Sequence, residues 1–179
     1  MKTFRIALAA LCVLSLAGCI DSAAPILKDS KALFGPTLKL QLYTLHNGFA
    51  ADPERVDYAW DGALYAPVPG GAKGYDAFSV HPFKAGTFII QSRPAGNPRK
   101  TEYAVLRKLT DGVFQVIPID EADASKKTRA VYCGKANGAA CRVETRGQLF
   151  AFARATAARP KDKGGLVIRL PDDADRKDK

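Results

Sequence analysis

Three pairs of β-prone segments, each joined by a short turn sequence, constrain the fold of this chain more than any other feature. The turns are Asp61-Gly62, Lys84-Ala85-Gly86 and Thr110-Asp111-Gly112, and their glycines suit the backbone angles of tight hairpins. The paired segments are residues 56–60 with 63–68, 76–83 with 87–92, and 101–109 with 113–119. Consecutive hairpins of this kind predict an antiparallel meander.

Two further strands flank the hairpins, because their apolar residues recur at every second position. The first contains Leu38, Leu40 and Leu42, and the second, after Gly164-Gly165, contains Leu166, Ile168 and Leu170. Between residue 119 and the final strand, the sequence predicts a polar loop over residues 120–127 and then a short strand that ends at Cys133.

One helix is expected near the C-terminus. Thr145 and Gln148 have the spacing of a capping box, in which each side chain bonds the other residue's backbone N–H. Leu149, Phe152 and Thr156 form one face, and Pro160 ends the pattern. The fold class is therefore α+β: a meander of about seven or eight antiparallel strands, as a barrel or a sandwich, with the helix over an opening or a face.

The N-terminus combines a positive segment, an apolar run and a cysteine. Lys2 and Arg5 precede residues 6–16, which are apolar and too few to span a bilayer, and Leu16-Ala17-Gly18-Cys19 follows. This arrangement resembles the lipobox of bacterial lipoproteins. The resemblance implies a signal peptide over residues 1–18, acylation of Cys19 and a membrane anchor. An ordinary signal peptide that ends at an unrelated cysteine is the alternative.

The resemblance also implies a location in the bacterial cell envelope. Ile20, not an aspartate, follows Cys19, and Asp21 comes only at the next position. We therefore expect the protein at the periplasmic face of the outer membrane. Residues 19–36 are expected to form a tether, with a short helix between Pro25 and Gly35 and part of it docked on the body. We expect residues 37–171 to form one globular domain and residues 172–179 to form a charged tail.

Charge is concentrated in one region. The chain has a net charge of +9, and residues 124–165 contain ten basic residues against Glu144 and Asp162. We define a basic surface from six of them: Lys126, Lys127, Arg129, Lys135, Arg142 and Arg146. It is either a solvated face or a contact surface for an anionic envelope layer or a protein partner. An exported, lipid-anchored chain has little access to nucleic acid.

The remaining cysteines, Cys133 and Cys141, predict a disulfide in an oxidising compartment. A redox-active pair is the alternative, but it favours C-x-x-C spacing at a helix N-terminus, which is absent. Ser79 and His81 share one strand face and could form a catalytic dyad, although ordinary strand residues explain them as well. Asp120, Glu121 and Asp123 lack the spacing of a calcium loop and suit a solvated loop.

Tyr58, Trp60, Tyr65 and Tyr75 could line a sugar or peptide site, or pack in a β-core. None of the common catalytic motifs is present, so the sequence predicts no catalytic residue, metal site or cofactor. We expect a non-catalytic binding or structural protein that acts through its basic surface. The alternatives are an envelope hydrolase at Ser79 and His81, or an inhibitor that inserts the glycine-rich loop 69–74 or the disulfide loop into another protein.

Overall fold

A closed β-barrel forms the body of the protein. The computed structural model describes residues 20–46, 49–50, 53–69, 76–94, 97, 99–133, 141–158 and 164–171. The strands are β1 (Asp21–Ser22), β2 (Thr37–His46), β3 (Phe49–Ala50), β4 (Glu54–Trp60), β5 (Tyr65–Pro67), β6 (Ala77–Lys84), β7 (Thr87–Arg93), β8 (Thr101–Thr110), β9 (Val113–Pro118) and β10 (Gly165–Leu170). The helices are α1 (Lys126–Tyr132) and α2 (Arg146–Ala157), and Glu121–Asp123 is a single 3-10 turn.

Eight of these strands close the barrel in the antiparallel ring order β2-β4-β5-β6-β7-β8-β9-β10. The β10 strand closes the ring, because it pairs with β9 on one side and with β2 on the other. The two short strands add to this ring: β1 pairs with the beginning of β8, and β3 with the end of β2. The predicted hairpins and meander are confirmed, and of the two predicted architectures the barrel is the one found.

Alternate residues of each strand point into the barrel, and the interior is apolar because the buried residues among them are apolar. Its buried residues are Leu38, Leu40, Leu42, Val56, Tyr58, Tyr65, Val80, Leu106, Phe114 and Val167. In β10 the buried inward residue is Val167, and the predicted apolar set Leu166, Ile168 and Leu170 is only partly buried.

A second cluster, the outer core, lies between α2 and the outer surface of β7, β8 and β9. The barrel contributes Ile89, Val105 and Ile117, and α2 contributes Leu149 and Phe152. The predicted capping box begins α2, since the Thr145 side chain accepts a hydrogen bond from the Gln148 N–H and the Gln148 side-chain oxygen accepts one from the Thr145 N–H. The helix therefore covers a face of the barrel and not one of its ends.

The region before Cys133 differs from the prediction. Residues 126–132 form the helix α1, so the expected short strand is wrong. Ser125 is the N-cap of the helix, because its hydroxyl accepts a hydrogen bond from the Thr128 N–H at 3.1 Å. Tyr132 packs against Phe152 with ring centroids 6.3 Å apart, which fixes α1 against α2.

The N-terminal segment, residues 20–36, is docked along its length, as was expected in part. The helix predicted between Pro25 and Gly35 is absent, because side chains of the barrel bind the backbone that a helix would use. The Gln91 amide accepts a hydrogen bond from the Leu27 N–H at 2.9 Å and donates one to the Leu27 carbonyl at 3.1 Å. The Tyr103 hydroxyl accepts another from the Ile26 N–H at 3.2 Å.

Candidate functional site: an apolar cavity inside the barrel

The barrel interior is not filled by its own side chains. A cavity of about 330 Å³ runs through it, which falls within the usual range for small-molecule sites, about 300–1,000 Å³. Its walls are mainly aliphatic and aromatic, and include Leu38, Leu40, Leu42, Ile90, Ala104, Leu106, Phe114, Val116 and Val167. Small barrels of eight strands either fill their interior with side chains or hold one small ligand, and this barrel has the space for a ligand.

Phe34, from the docked segment, closes one end of the cavity. Its ring makes edge contacts with Phe114 and Phe88, at centroid distances of 5.4 and 6.1 Å. The Tyr65 hydroxyl fixes the adjacent backbone, because it accepts a hydrogen bond from the Phe34 N–H at 2.9 Å and donates one to the Gly35 carbonyl at 3.0 Å. Arg169 also lines the cavity near this end, at the end of β10.

The other end of the cavity is bordered by short and polar residues, which we call the polar rim: Thr44, Asp76, Ser92, Glu102 and Gly164. Glu102 accepts a hydrogen bond from the Lys100 ammonium at 2.8 Å, and this contact raises the pKa of Lys100. Burial, and then the negative charge of Asp76, raise the pKa of Tyr58 well above its usual value. Tyr58 therefore stays neutral in the cavity wall, and the acidic side chains of the cavity lining, Asp76 and Glu102, lie at this border.

The aromatic residues considered for a sugar or peptide site belong to the barrel core. Tyr58 and Tyr65 are buried, and Phe78 packs between them at centroid distances of 4.9 and 5.5 Å. Trp60 packs edge-on against Tyr65 at 5.1 Å. Tyr75 and most of the loop 69–74 lie outside the described residues.

Ser79 and His81 are hydrogen-bonded, with 2.9 Å between the Ser79 hydroxyl oxygen and Nε2 of His81. Both are buried on the outer surface of the barrel, where Gln91 also donates to the Ser79 hydroxyl at 3.4 Å. Gln91 also hydrogen-bonds the Leu27 backbone. The polar group of Ser79, His81 and Gln91 therefore binds the N-terminal segment to β6 and β7. Ser79 is 1% exposed, which leaves little room for a substrate to approach its hydroxyl.

This buried group predicts a pH-dependent stability of the protein. Burial, and then the positive charge of Arg146, lower the pKa of His81, while Asp29 opposes them. In the unfolded chain, His81 therefore binds a proton near its ordinary pKa of 6.5, whereas in the folded protein His81 binds it only at a lower pH. We expect the free energy of unfolding to fall as the pH drops below about 6.5. Urea titrations from pH 8 to pH 5 should show a weaker fall in His81→Gln, and an unchanged fall would contradict this origin.

The predicted disulfide joins Cys133 to Cys141. Cys133 is the C-cap of α1 and Cys141 is buried in the outer core, so neither sulfur lies at a helix N-terminus that would favour a reactive thiolate. The acidic residues nearby have structural contacts: Glu121 accepts a hydrogen bond from the Cys141 N–H at 3.0 Å, and Asp120 from the Ala122 N–H at 2.8 Å. Glu121 lies close to both sulfurs, but sulfurs joined in a disulfide are not the thiolates that bind metals.

The structure places five residues of the basic surface, and Lys135 lies outside the described residues. Lys126, Lys127 and Arg129 are on α1, where the two lysines are exposed. Arg142 lies beside Asp21, with 3.7 Å between Nε and the carboxylate, and Arg146 covers the Phe150 ring at 4.8 Å. The helices α1 and α2 pack together, so these residues belong to one region around the disulfide.

Cys19 and the whole predicted signal peptide precede the first described residue, Ile20. Within the described part of the chain, no helix has the length and apolar character to cross a membrane. Comparison with known proteins gives no relationship: no family model, no curated protein and no solved structure matches this chain.

The cavity was not predicted from the sequence. The alternation of Leu38, Leu40 and Leu42 indicates an inward face, but the same pattern describes a filled interior. The available signal was indirect: Ala104 and Gly165, two of the smallest residues, occupy wall positions of β8 and β10, the two strands that flank β9.

Proposed function

We propose that the protein is a non-catalytic, lipid-anchored binding protein of the bacterial envelope whose barrel holds one apolar ligand chain. The observation that supports this function is the cavity of about 330 Å³, with aliphatic walls and a polar border at one end. An apolar chain would leave water on entering, and a polar head would remain at the rim. Each CH₂ group buried contributes about 0.8 kcal/mol, so a chain of several carbons supplies useful affinity.

The envelope assignment rests on the lipobox resemblance of residues 16–19, with Cys19 as the acylated residue. The expected location, at the periplasmic face of the outer membrane, is part of the proposal. The disulfide between Cys133 and Cys141 supports an oxidising compartment of this kind. A hydrolase at Ser79 and His81 is less well supported, because both side chains are buried beneath the docked segment.

The basic surface is proposed as a contact surface for an anionic envelope layer. Arg142 supports this role, because its contact with Asp21 places the basic region beside the chain segment that follows Cys19. Basic residues next to an anionic membrane contribute about 1 kcal/mol each. An acidic protein partner is the other candidate for the same surface.

Filling the cavity should abolish ligand binding. Ala104 lines the cavity, so Ala104→Leu places three additional carbons in the space for the ligand. We expect the affinity for a fluorescent alkyl probe to fall at least tenfold, while the melting temperature stays equal or rises because cavity-filling changes often stabilise. The measurement is a fluorescence titration of the purified protein.

The matched control is Ala59→Leu, which makes the same change at an exposed position of β4. It should bind the probe like the unmodified protein. Equal affinities for the two leucine variants would show that the probe binds elsewhere and would contradict the proposed site.

A further inference from the structure

The chain enters the barrel body without a free linker. Ile20, the residue after Cys19, is fully buried in the outer core, and its N–H donates to the Ile119 carbonyl at 3.0 Å. Asp21 and Ser22 then pair with Glu102 and Thr101 at the beginning of β8. Any group attached to Cys19 is therefore one residue away from a fixed point on the barrel.

This fixed point lies at the end of the barrel that carries the polar rim. Glu102 takes part in both features, because it pairs with Asp21 and also borders the cavity. Ser92 pairs with Glu102 from the end of β7, and Gly165 begins β10 opposite Thr44, near the end of β2. Phe34 closes the opposite end, so the anchor and the polar rim share one end of the molecule.

Cations surround the position where the chain enters. The Asp21 carboxylate lies between two of them, 3.6 Å from the Lys100 ammonium and 3.7 Å from Nε of Arg142. Arg142 is 63% exposed, and Arg93 and Arg99 are exposed on the chain segments next to the rim. These positive charges complement the phosphates of a membrane surface.

We propose that the barrel stands with its polar rim against the bilayer and takes one acyl chain of a membrane phospholipid into its cavity. This inference rests on the proposed function and on acylation of Cys19. Because Cys19 is bonded directly to the fixed Ile20, the anchored barrel has no length of chain with which to turn its rim away from the membrane.

The same orientation gives a physical route for the ligand. An acyl chain is as apolar in the bilayer as it is against leucine side chains, so its transfer into the cavity has little hydrophobic driving force in either direction. Transfer through water would expose the whole chain, and that exposure is what makes it slow and unfavourable. A rim in contact with the leaflet avoids that exposure. The acyl chain can then enter and leave the cavity without passing through water.

The orientation can be measured with the chain's one tryptophan. Trp60 ends β4, at the barrel end closed by Phe34, and Asn97 is exposed in the β7–β8 connection beside the rim. The acylated mature protein, from Cys19 onward, is placed in vesicles of phosphatidylcholine and phosphatidylglycerol whose acyl chains carry bromine, a contact quencher of tryptophan. We expect strong quenching in the double variant Trp60→Phe/Asn97→Trp and little quenching of native Trp60. The reverse order, or a failure to bind vesicles, would overturn the proposed orientation.

The ligand class is measured on the same vesicles. Protein released from them is examined by native mass spectrometry, where we expect one bound phospholipid for the unmodified protein and for Ala59→Leu, and none for Ala104→Leu. If no phospholipid is retained while a soluble alkyl alcohol still binds, the acyl-chain inference is wrong and the proposed function stands. If neither ligand binds, both are wrong.

Discussion

Gly164→Ala should lower the free energy of unfolding by about 4 kcal/mol, the size of the exceptional single substitutions. Gly164 has a φ of +100°, a backbone conformation that residues with a Cβ atom rarely adopt. A Cβ atom there would overlap the Val116 carbonyl oxygen and lie 3.0 Å from its carbon and 3.2 Å from Cα of Ile117. Because these are backbone atoms of β9, where β10 closes the barrel, they cannot move aside alone. Urea unfolding of the purified protein measures the loss.

Gly62→Ala is the matched control for this substitution. Gly62 has nearly the same φ, +102°, but no atom lies within 4 Å of the position that a Cβ would take. We expect a loss of about 1–2 kcal/mol, which is the cost of the backbone conformation alone. Equal losses at the two glycines would show that the barrel does not close at Gly164 as described.

Phe152→Ala should lower the free energy of unfolding by about 3–5 kcal/mol without changing ligand affinity. Phe152 is fully buried in the outer core, between α2 and the barrel, and contacts Tyr132. Its removal leaves a void outside the barrel wall, whereas the ligand cavity is lined by other residues. Urea unfolding gives the stability, and a probe titration at a temperature where the variant is folded gives the affinity.

Phe150→Ala is a control in the same helix. The Phe150 side chain is only partly buried, against Phe83 at 5.0 Å and beneath Arg146, so we expect a smaller loss of about 1–2 kcal/mol. A loss of ligand affinity in Phe152→Ala equal to that in Ala104→Leu would contradict the separation of the two cores.

The features that were predictable from the sequence have local causes. A hairpin depends on a turn and on the alternation beside it, so Asp111-Gly112 located β8 and β9 to within about one residue. The capping box needs only Thr145 and Gln148, three residues apart, and it located the beginning of α2. The disulfide followed from a count of cysteines.

The features that were not predictable depend on distant contacts. Residues 25–35 lack a helix because Gln91, 64 residues from Leu27, binds its backbone. The helix α1 is capped by Ser125 and fixed by the packing of Tyr132 on Phe152, and sequence periodicity does not show this packing. The cavity depends on how closely eight strands approach one another, and small differences in wall side chains decide whether the interior is filled.

Calorimetric titration with straight-chain alcohols of increasing length tests whether the barrel interior binds an apolar chain, because their head group is uncharged and only the chain varies. If the barrel interior is the site, affinity should rise about fourfold for each added CH₂ group, since each contributes about 0.8 kcal/mol, and then level off once the cavity is full. The binding should occur at one site per chain and be lost in Ala104→Leu. An absence of saturable binding at every length, or an affinity independent of length, would contradict a ligand site inside the barrel.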